Sequence, residues 1–449
     1  MSIATNLWNK WIGRAPPTRS GISLGLRVLD DQVSSRPYLL PLLRRTEHIV
    51  ILGKTGTGKT SLIKSMLARD VRDGRGFLVI DLHGDLTPFI LGRIAEQEQR
   101  DQHDLSRRTV ILNPADRSSS VGLNILDTPA SIAPLVSEVV AIFRRRWQLD
   151  HFGARTEELL RNTLWVLTEN GLTLTEVAPF LTDLGFRSPL IERTSNTEVK
   201  TYFRERYEQL SDAMQAVMRE VILNKASAFT TDPAIRHIVG QQKGLNVSEV
   251  LERNLWVILQ LSKSELGENS ETLASLILAH FQNAVFARKS KELFTVYADE
   301  VQNLVGSGDT FDHLLSEARK FAVSVVTANQ HLNQYSSQVR ASLLSAGTAI
   351  FFRSSPEDAP FIARALDGGP PMERRLKELQ NRHFLIRSGN ERCVEVAAAG
   401  VPHNSISIAS LVACSNASWA RPREQIETEI AARRGTSAAT RKDALDEWD

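Results

Sequence analysis

Apolar positions along this chain change their spacing in blocks. Residues 48–52, 76–81 and 109–113 are short runs of nearly continuous hydrophobic residues and predict buried strands. Between them, 61–70 and 86–99 place apolar side chains at helical spacing. Strand and helix in alternation predict a mainly parallel sheet covered on both faces. From 128 to 250 the pattern turns helical, through 135–146, 156–169, 174–181, 196–211 and 212–230, with few β-branched runs. An inserted all-α domain is expected there. Strand signals return at 255–261, 293–298, 323–328 and 348–352, separated by helical patterns at 271–288, 311–321 and 356–365. Two short strands, 383–386 and 392–396, are expected to finish the sheet. The fold class is therefore α/β, one domain built from two halves, 47–127 and 251–405, around a helical insertion. Residues 1–46, broken by Pro16, Pro17, Pro37 and Pro41, predict a small leading segment with a strand or two, packed on the main domain. Residues 415–449 are rich in Ala, Arg and Glu, and read as a solvated, frayed helix or tail, or else a docking peptide.

Composition narrows the class. At 449 residues the chain exceeds one ordinary core, and 42% hydrophobic with 24% charged residues describes a globular protein. A net charge of +2 is no global nucleic-acid signature, yet allows a basic channel balanced by acids elsewhere. Two cysteines, Cys393 and Cys414, exclude a disulfide framework and fit a reducing compartment. The start, MSIATNLWNKWIG, has neither the apolar core nor the cleavage site of a signal peptide, and no 18 apolar residues run together. No integral membrane segment is expected.

The candidate chemistry begins between the first strand and the first helix. Gly53, Gly58, Lys59 and Thr60 spell GxxxxGK[ST], the phosphate-binding loop of nucleotide hydrolases. Backbone N–H groups and the positive end of the helix can hold an anion there. Gly53, Lys54, Thr55, Gly56, Thr57, Gly58, Lys59, Thr60 and Ser61 are the expected ATP-binding set. Lys59 is expected on the β- and γ-phosphates and Thr60 on Mg²⁺. A second metal-side group comes from LFTVYADE, an apolar strand ending in Asp299 and Glu300. Asp299 is expected to hold the metal, and Glu300 to orient or deprotonate the attacking water.

Other residues stay open between a structural and a functional role. Asp81 ends a strand and either caps a turn with His83, Gly84 and Asp85 or lines the same site. Gln330 is a loop residue or a sensor of the γ-phosphate. Arg319 and Lys320 close a helix, where cations are favourable in any case, unless Arg319 reaches a neighbouring subunit's phosphate as a finger. Arg353 is the rival for that part. Arg144, Arg145 and Arg146 are a solvated helix face or a contact to a nucleic-acid backbone.

Taken in order, GKTGTGKTSL, VIDLHGDL, VILNPAD…VGLNIL, LSKSELGE, VYADEVQNL and LLSEARKF…TANQHLNQ resemble the HerA/FtsK superfamily. Within it, they resemble the TraG/TraD-like conjugative coupling ATPases that carry a TraM-recognition-type segment. That resemblance spans roughly residues 40–400 and implies a RecA-like motor domain with an inserted all-α domain. It implies a hexameric ring around DNA with ATP and Mg²⁺ held between subunits. Lys59, Thr60, Asp299, Glu300 and Gln330 match the family's phosphate, metal, catalytic and sensor positions, and Arg319 the arginine before the sensor strand. Membrane helices usual at the start of the family are not seen here, so a cytoplasmic relative, or one peripheral to the inner membrane, is expected. Leu82 stands where proline is frequent, and Phe152-Gly153-Ala154-Arg155 replaces a WGPR-like run. Two functions from different classes follow: a DNA-translocating ATPase, or a nucleotide-dependent assembly module that recruits a nuclease, relaxase or secretion partner. An ATPase for protein export shares the fold.

Overall fold

Fully buried strands set the frame. The structure, a computed structural model, describes residues 21–128, 131–146, 153–267, 269–299, 314–332, 340, 343, 345–401 and 406–434. Its strands in chain order are β1 (Gly21–Leu29), β2 (Gln32–Pro41), β3 (Ile49–Leu52), β4 (Gly76–Asp81), β5 (Thr109–Leu112), β6 (Ser119–Val121) and β7 (Trp256–Gln260). They continue with β8 (Phe294–Asp299), β9 (Val323–Asn329), β10 (Thr348–Phe351), β11 (His383–Ser388), β12 (Val394–Ala398) and β13 (Ala420–Pro422). An 11-stranded sheet has the order β2-β1-β12-β11-β10-β3-β9-β8-β4-β7-β5. From β10 to β7 the neighbours are parallel. On the other side β11, β12, β1 and β2 add antiparallel pairs. Every residue of β3, β4 and β9 is buried, which is why they read as unbroken apolar runs rather than alternating ones. The fold is a RecA-like P-loop core with a mainly parallel sheet, accompanied by a helical domain.

Two compact units divide the chain. One spans 1–111, 248–274 and 288–418 and carries the large sheet; the other spans 112–247, 275–287 and 419–449. Several predicted boundaries shift. β1 and β2, from the expected leading segment, are hydrogen-bonded into the main sheet through β12. The helical unit starts at 112 rather than 128. The end of the described chain is no frayed tail: helix Arg423–Arg433 buries Ile426 and Ile430, four residues apart on one face. Arg433 Nε pairs with the buried Glu176 carboxylate at 3.2 Å, and Arg236 Nε with Glu427 at 3.1 Å, within the helical unit. The helix predicted over 196–211 breaks into Thr197–Thr201 and a wider π turn, Tyr202–Tyr207, which brings Tyr202, Phe203 and Tyr207 inward together.

Sequence patterns gave no hint of the ion pair at the heart of the first unit. Arg45 and Asp70 are both 0% exposed and form a bidentate pair, 2.6 and 2.7 Å. Thr295 and Tyr297, on one face of β8, accept from Arg45 Nη2 at 3.0 and 2.9 Å, and the Tyr297 hydroxyl donates to Asp70 at 2.6 Å. Burial alone would push the Asp70 carboxyl up; the Arg45 charge outweighs it and holds Asp70 below its ordinary range. The network ties helix Lys59–Asp73 to β8, and so fixes the loop at that helix's start against the strand that carries Asp299.

Buried histidines make both units acid-sensitive. His48, just before β3, accepts the Val325 N–H at 3.1 Å through Nδ1. Burial lowers it from 6.5 to about 4, with Arg319 pushing the same way and the Leu315 backbone and Glu47 opposing. His280, in the helical unit, is lowered by burial to about 4 against a bond to the Ile125 backbone. Below pH 6.5 the unfolded chain takes up protons that these folded sites refuse, so stability falls as pH drops from 6.5 toward 4. Between pH 7 and 5 each unit is expected to lose about 2 kcal/mol, read from urea midpoints. Midpoints that do not move over that range would show both imidazoles to be solvated.

Candidate nucleotide-binding site

The loop Gly53–Gly58 follows β3 and leads into helix Lys59–Asp73. Backbone bonds tether it to three neighbouring segments. Gly53 N–H donates to the Asn329 carbonyl at the end of β9 (3.2 Å), and Lys54 N–H to the Arg353 carbonyl after β10 (2.9 Å). The Thr57 carbonyl accepts from Arg382 N–H, ahead of β11, at 2.8 Å. Gly53 is obligatory by space, since a Cβ there would stand 2.5 Å from the Phe352 Cβ. A Cβ at Gly56, in contrast, would point into open space, and its φ of 75° favours glycine.

Side chains then complete the cradle. Lys59, 8% exposed, donates through Nζ to the carbonyls of Gly53 (2.6 Å) and Lys54 (3.0 Å). Thr60 Oγ1 donates to Asp299 Oδ2 at 3.1 Å. In the sheet β9 lies between β3 and β8, so this bond spans two strand positions to join the loop to the acid strand. At the end of the intervening β9, Gln330 Oε1 accepts from Thr55 Oγ1 at 3.0 Å. Hydroxyl, carboxylate, amide and ammonium thus converge on one loop at the C-terminal ends of parallel strands. The first bond of the helix is Leu62 N–H to the Gly58 carbonyl. Its first turn therefore presents N–H groups that no intrahelical carbonyl can take. That end suits a phosphate, and a hydroxyl beside a carboxylate is a hard oxygen set suited to Mg²⁺. Ser61 belongs to this first turn and is partly exposed.

The remaining candidates fall elsewhere. Glu300 lies outside the described residues. Asp81 resolves to the turn: its buried carboxylate accepts from the N–H groups of Gly84 (2.8 Å), Leu86 (3.1 Å) and Thr87 (2.8 Å) and the Thr87 hydroxyl (2.7 Å). Arg319 precedes β9 at the edge of the sheet opposite the loop, a span of at least about 13 Å by strand rise. Its guanidinium, 62% exposed, pairs with Glu47 at 3.0 Å. Arg353 reaches Asn381 with its side chain (3.0 Å) and the loop with its carbonyl. Arg144, in the helical unit, lies 3.9 Å from Glu157 and is half exposed, while the Arg145 and Arg146 side chains lie outside the description. Asn329 and Arg382 escaped the sequence patterns, and Arg353 was marked only for its side chain, because all three serve the loop through backbone atoms, which no side-chain motif records.

A family profile for the type IV secretion-system coupling protein DNA-binding domain matches residues 38–374. The chain belongs to that family. It stands with the TraG/TraD-like conjugative coupling ATPases of the HerA/FtsK superfamily, as the order of its motifs implies. Among solved structures, the bacterial conjugative coupling protein TrwBdeltaN70, unbound, is 15% identical with a TM-score of 0.58, covering 88% of this chain and 97% of that one. TrwB in complex with ADP and Mg²⁺ is 14% identical (TM-score 0.58; 87% and 97% covered). VirB4 of Thermoanaerobacter pseudethanolicus is 15% identical (TM-score 0.55; 87% and 99% covered). At such identities the likeness establishes the fold of this coupling-protein relative. No curated protein sequence matches the chain. Among the described residues, no helix is long and apolar enough to cross a membrane.

Proposed function

We propose that this coupling-protein relative is an ATP-hydrolysing DNA motor, working as a hexameric ring in the cytoplasm or at the inner membrane's surface. The observation that carries this is the Thr60–Asp299 bond, which joins the phosphate loop to the acid-bearing strand in one site. TrwB is solved with ADP and Mg²⁺, and the loop here has the donor set for the same pair. Bound ATP supplies the anhydride to be cleaved, and Mg²⁺ neutralises its charge.

Each residue then has a task. Lys59 leaves the loop carbonyls for the β- and γ-phosphates, and the loop N–H groups hold the rest of the chain of phosphates. Thr60 and Asp299 hold the metal. Glu300, next in sequence to Asp299, accepts the proton of the attacking water. Gln330 senses the γ-phosphate from its place beside Thr55. Arg319 sits too far from its own loop to serve it, so it is assigned to the neighbouring subunit's nucleotide, as a finger in trans. DNA is gripped through its phosphates, with little base preference, and the contacts weaken with salt.

Added duplex DNA is expected to raise ATP turnover several-fold at low salt, with the stimulation fading as salt rises. Turnover indifferent to any DNA, together with a stable partner complex formed in ATP, would instead establish an assembly module that recruits a nuclease, relaxase or secretion protein.

A further inference from the structure

Asp358 is placed oddly for its residue type. It occupies the N-cap of helix Ala359–Ala365, where an aspartate ordinarily accepts that helix's free N–H groups, yet its side chain makes no such bond. The carboxylate, only 6% exposed, turns to the segment that follows β9 instead. Oδ1 accepts the Leu332 N–H at 3.3 Å, while Oδ2 accepts the Ser355 hydroxyl at 3.0 Å and stands 3.3 Å from His331 Nδ1. Ser355 Oγ in turn accepts the Asp358 N–H at 3.0 Å. A carboxylate so far out of water persists only with partners of this kind.

The connection matters because of what these two segments hold. β9 and β10 flank β3 on either side. Immediately after β9, Gln330 accepts the Thr55 hydroxyl of the phosphate loop. Shortly after β10, the Arg353 carbonyl accepts the Lys54 N–H of the same loop. Asp358 clasps both segments one step further out, at Leu332 and Ser355. Gln330 is thereby held between a strand on one side and a buried carboxylate anchor on the other.

We propose that Asp358 is a positioning residue for nucleotide turnover, fixing Gln330 against the phosphate loop by holding the residues that follow it. This rests on the sensor role given to Gln330 above. A displacement of about 1 Å in a group that orients the reacting phosphate lowers turnover by as much as 10²-fold. Asp358 itself touches no phosphate; its effect must pass through Gln330.

The test is a double-mutant cycle on the full chain, with kcat and KM for ATP measured for Gln330→Ala, Asp358→Asn and the pair. Asp358→Asn keeps size and one acceptor but loses the charge. We expect kcat to fall about tenfold with KM within about twofold, and the double variant to be no slower than Gln330→Ala. Ser355→Ala removes a single hydroxyl and serves if Asp358→Asn does not fold. It should lower kcat several-fold, again with no further effect on a Gln330→Ala background. Multiplying effects would mark Asp358 as structural only and overturn the inference. So would wild-type kcat in both the Asp358→Asn and Ser355→Ala chains while Gln330→Ala is slow. Wild-type turnover by Gln330→Ala would instead remove the sensor role, and this inference with it.

Discussion

Lys59→Ala is expected to lower ATP turnover at least about a thousandfold while leaving the fold intact. A single preorganised donor to developing charge is worth about 10²–10³ in rate, and here the donor is a full positive charge in a site 8% exposed. Little else should change. The two bonds from Nζ to the loop carbonyls are each worth about 1 kcal/mol net, and alanine is the best residue for the helix that begins at this position. Turnover measured beside a thermal melt separates the two effects. A variant that melts normally and keeps a tenth of wild-type turnover would show that the loop is not where hydrolysis occurs. The same variant tests the ring. Its Arg319 is untouched, at the other edge of the sheet, while an Arg319→Ala subunit keeps an intact loop. Mixed at intermediate ratios, the two inactive chains should regain part of the activity at interfaces where a good loop meets a good arginine. Mixtures that stay inactive at every ratio would confine Arg319 to its pairing with Glu47.

Legibility followed how local the signal was. The phosphate loop was plain because strand, glycines, lysine and helix are contiguous, and each fixes the next through backbone geometry. Pairing it with Asp299, 239 positions away, depended on an apolar run ending in acids. The structure supports that pairing because β8 and β3 end on the same side of one sheet. Asp81 showed the limit of the same logic. It too ends a buried strand beside the site, yet its oxygens are taken by four local donors, a preference that the turn residues His83, Gly84 and Asp85 only hinted at. The burial of helix Arg423–Arg433 was missed for lack of apolar content. Two isoleucines one turn apart carry its burial, and the rest of its attachment is ionic and distant in sequence. β1 and β2 were underrated because pairing with β12 is invisible to periodicity. Nothing in the sequence patterns marked Asp358, whose carboxylate is taken by Leu332 and Ser355 rather than by the helix that follows it.

The second large effect concerns stability and arises from Arg45 and Asp70. Asp70→Ala leaves a guanidinium that is 0% exposed without its counter-charge, and breaking a buried pair on one side typically destabilises by about 3–5 kcal/mol. For a unit of this size that corresponds to a melting shift of roughly 10 °C. Tyr297→Phe should be milder, about 1–2 kcal/mol, because it removes one hydroxyl and leaves the charges paired. The informative chain is the double replacement Arg45→Met with Asp70→Leu. Removing both charges also removes the desolvation they suffer, so this variant should recover most of what Asp70→Ala loses. Denaturant midpoints for the three chains give that ordering directly. Because the pair binds helix Lys59–Asp73 to β8, the Asp70→Ala chain should also hold nucleotide less well than its residual folded fraction accounts for, with Thr60 no longer held in register with Asp299. Asp70→Ala at under about 1 kcal/mol would mean that Arg45 finds water on its own, and the buried network would then be an ornament of packing rather than the clamp behind the site.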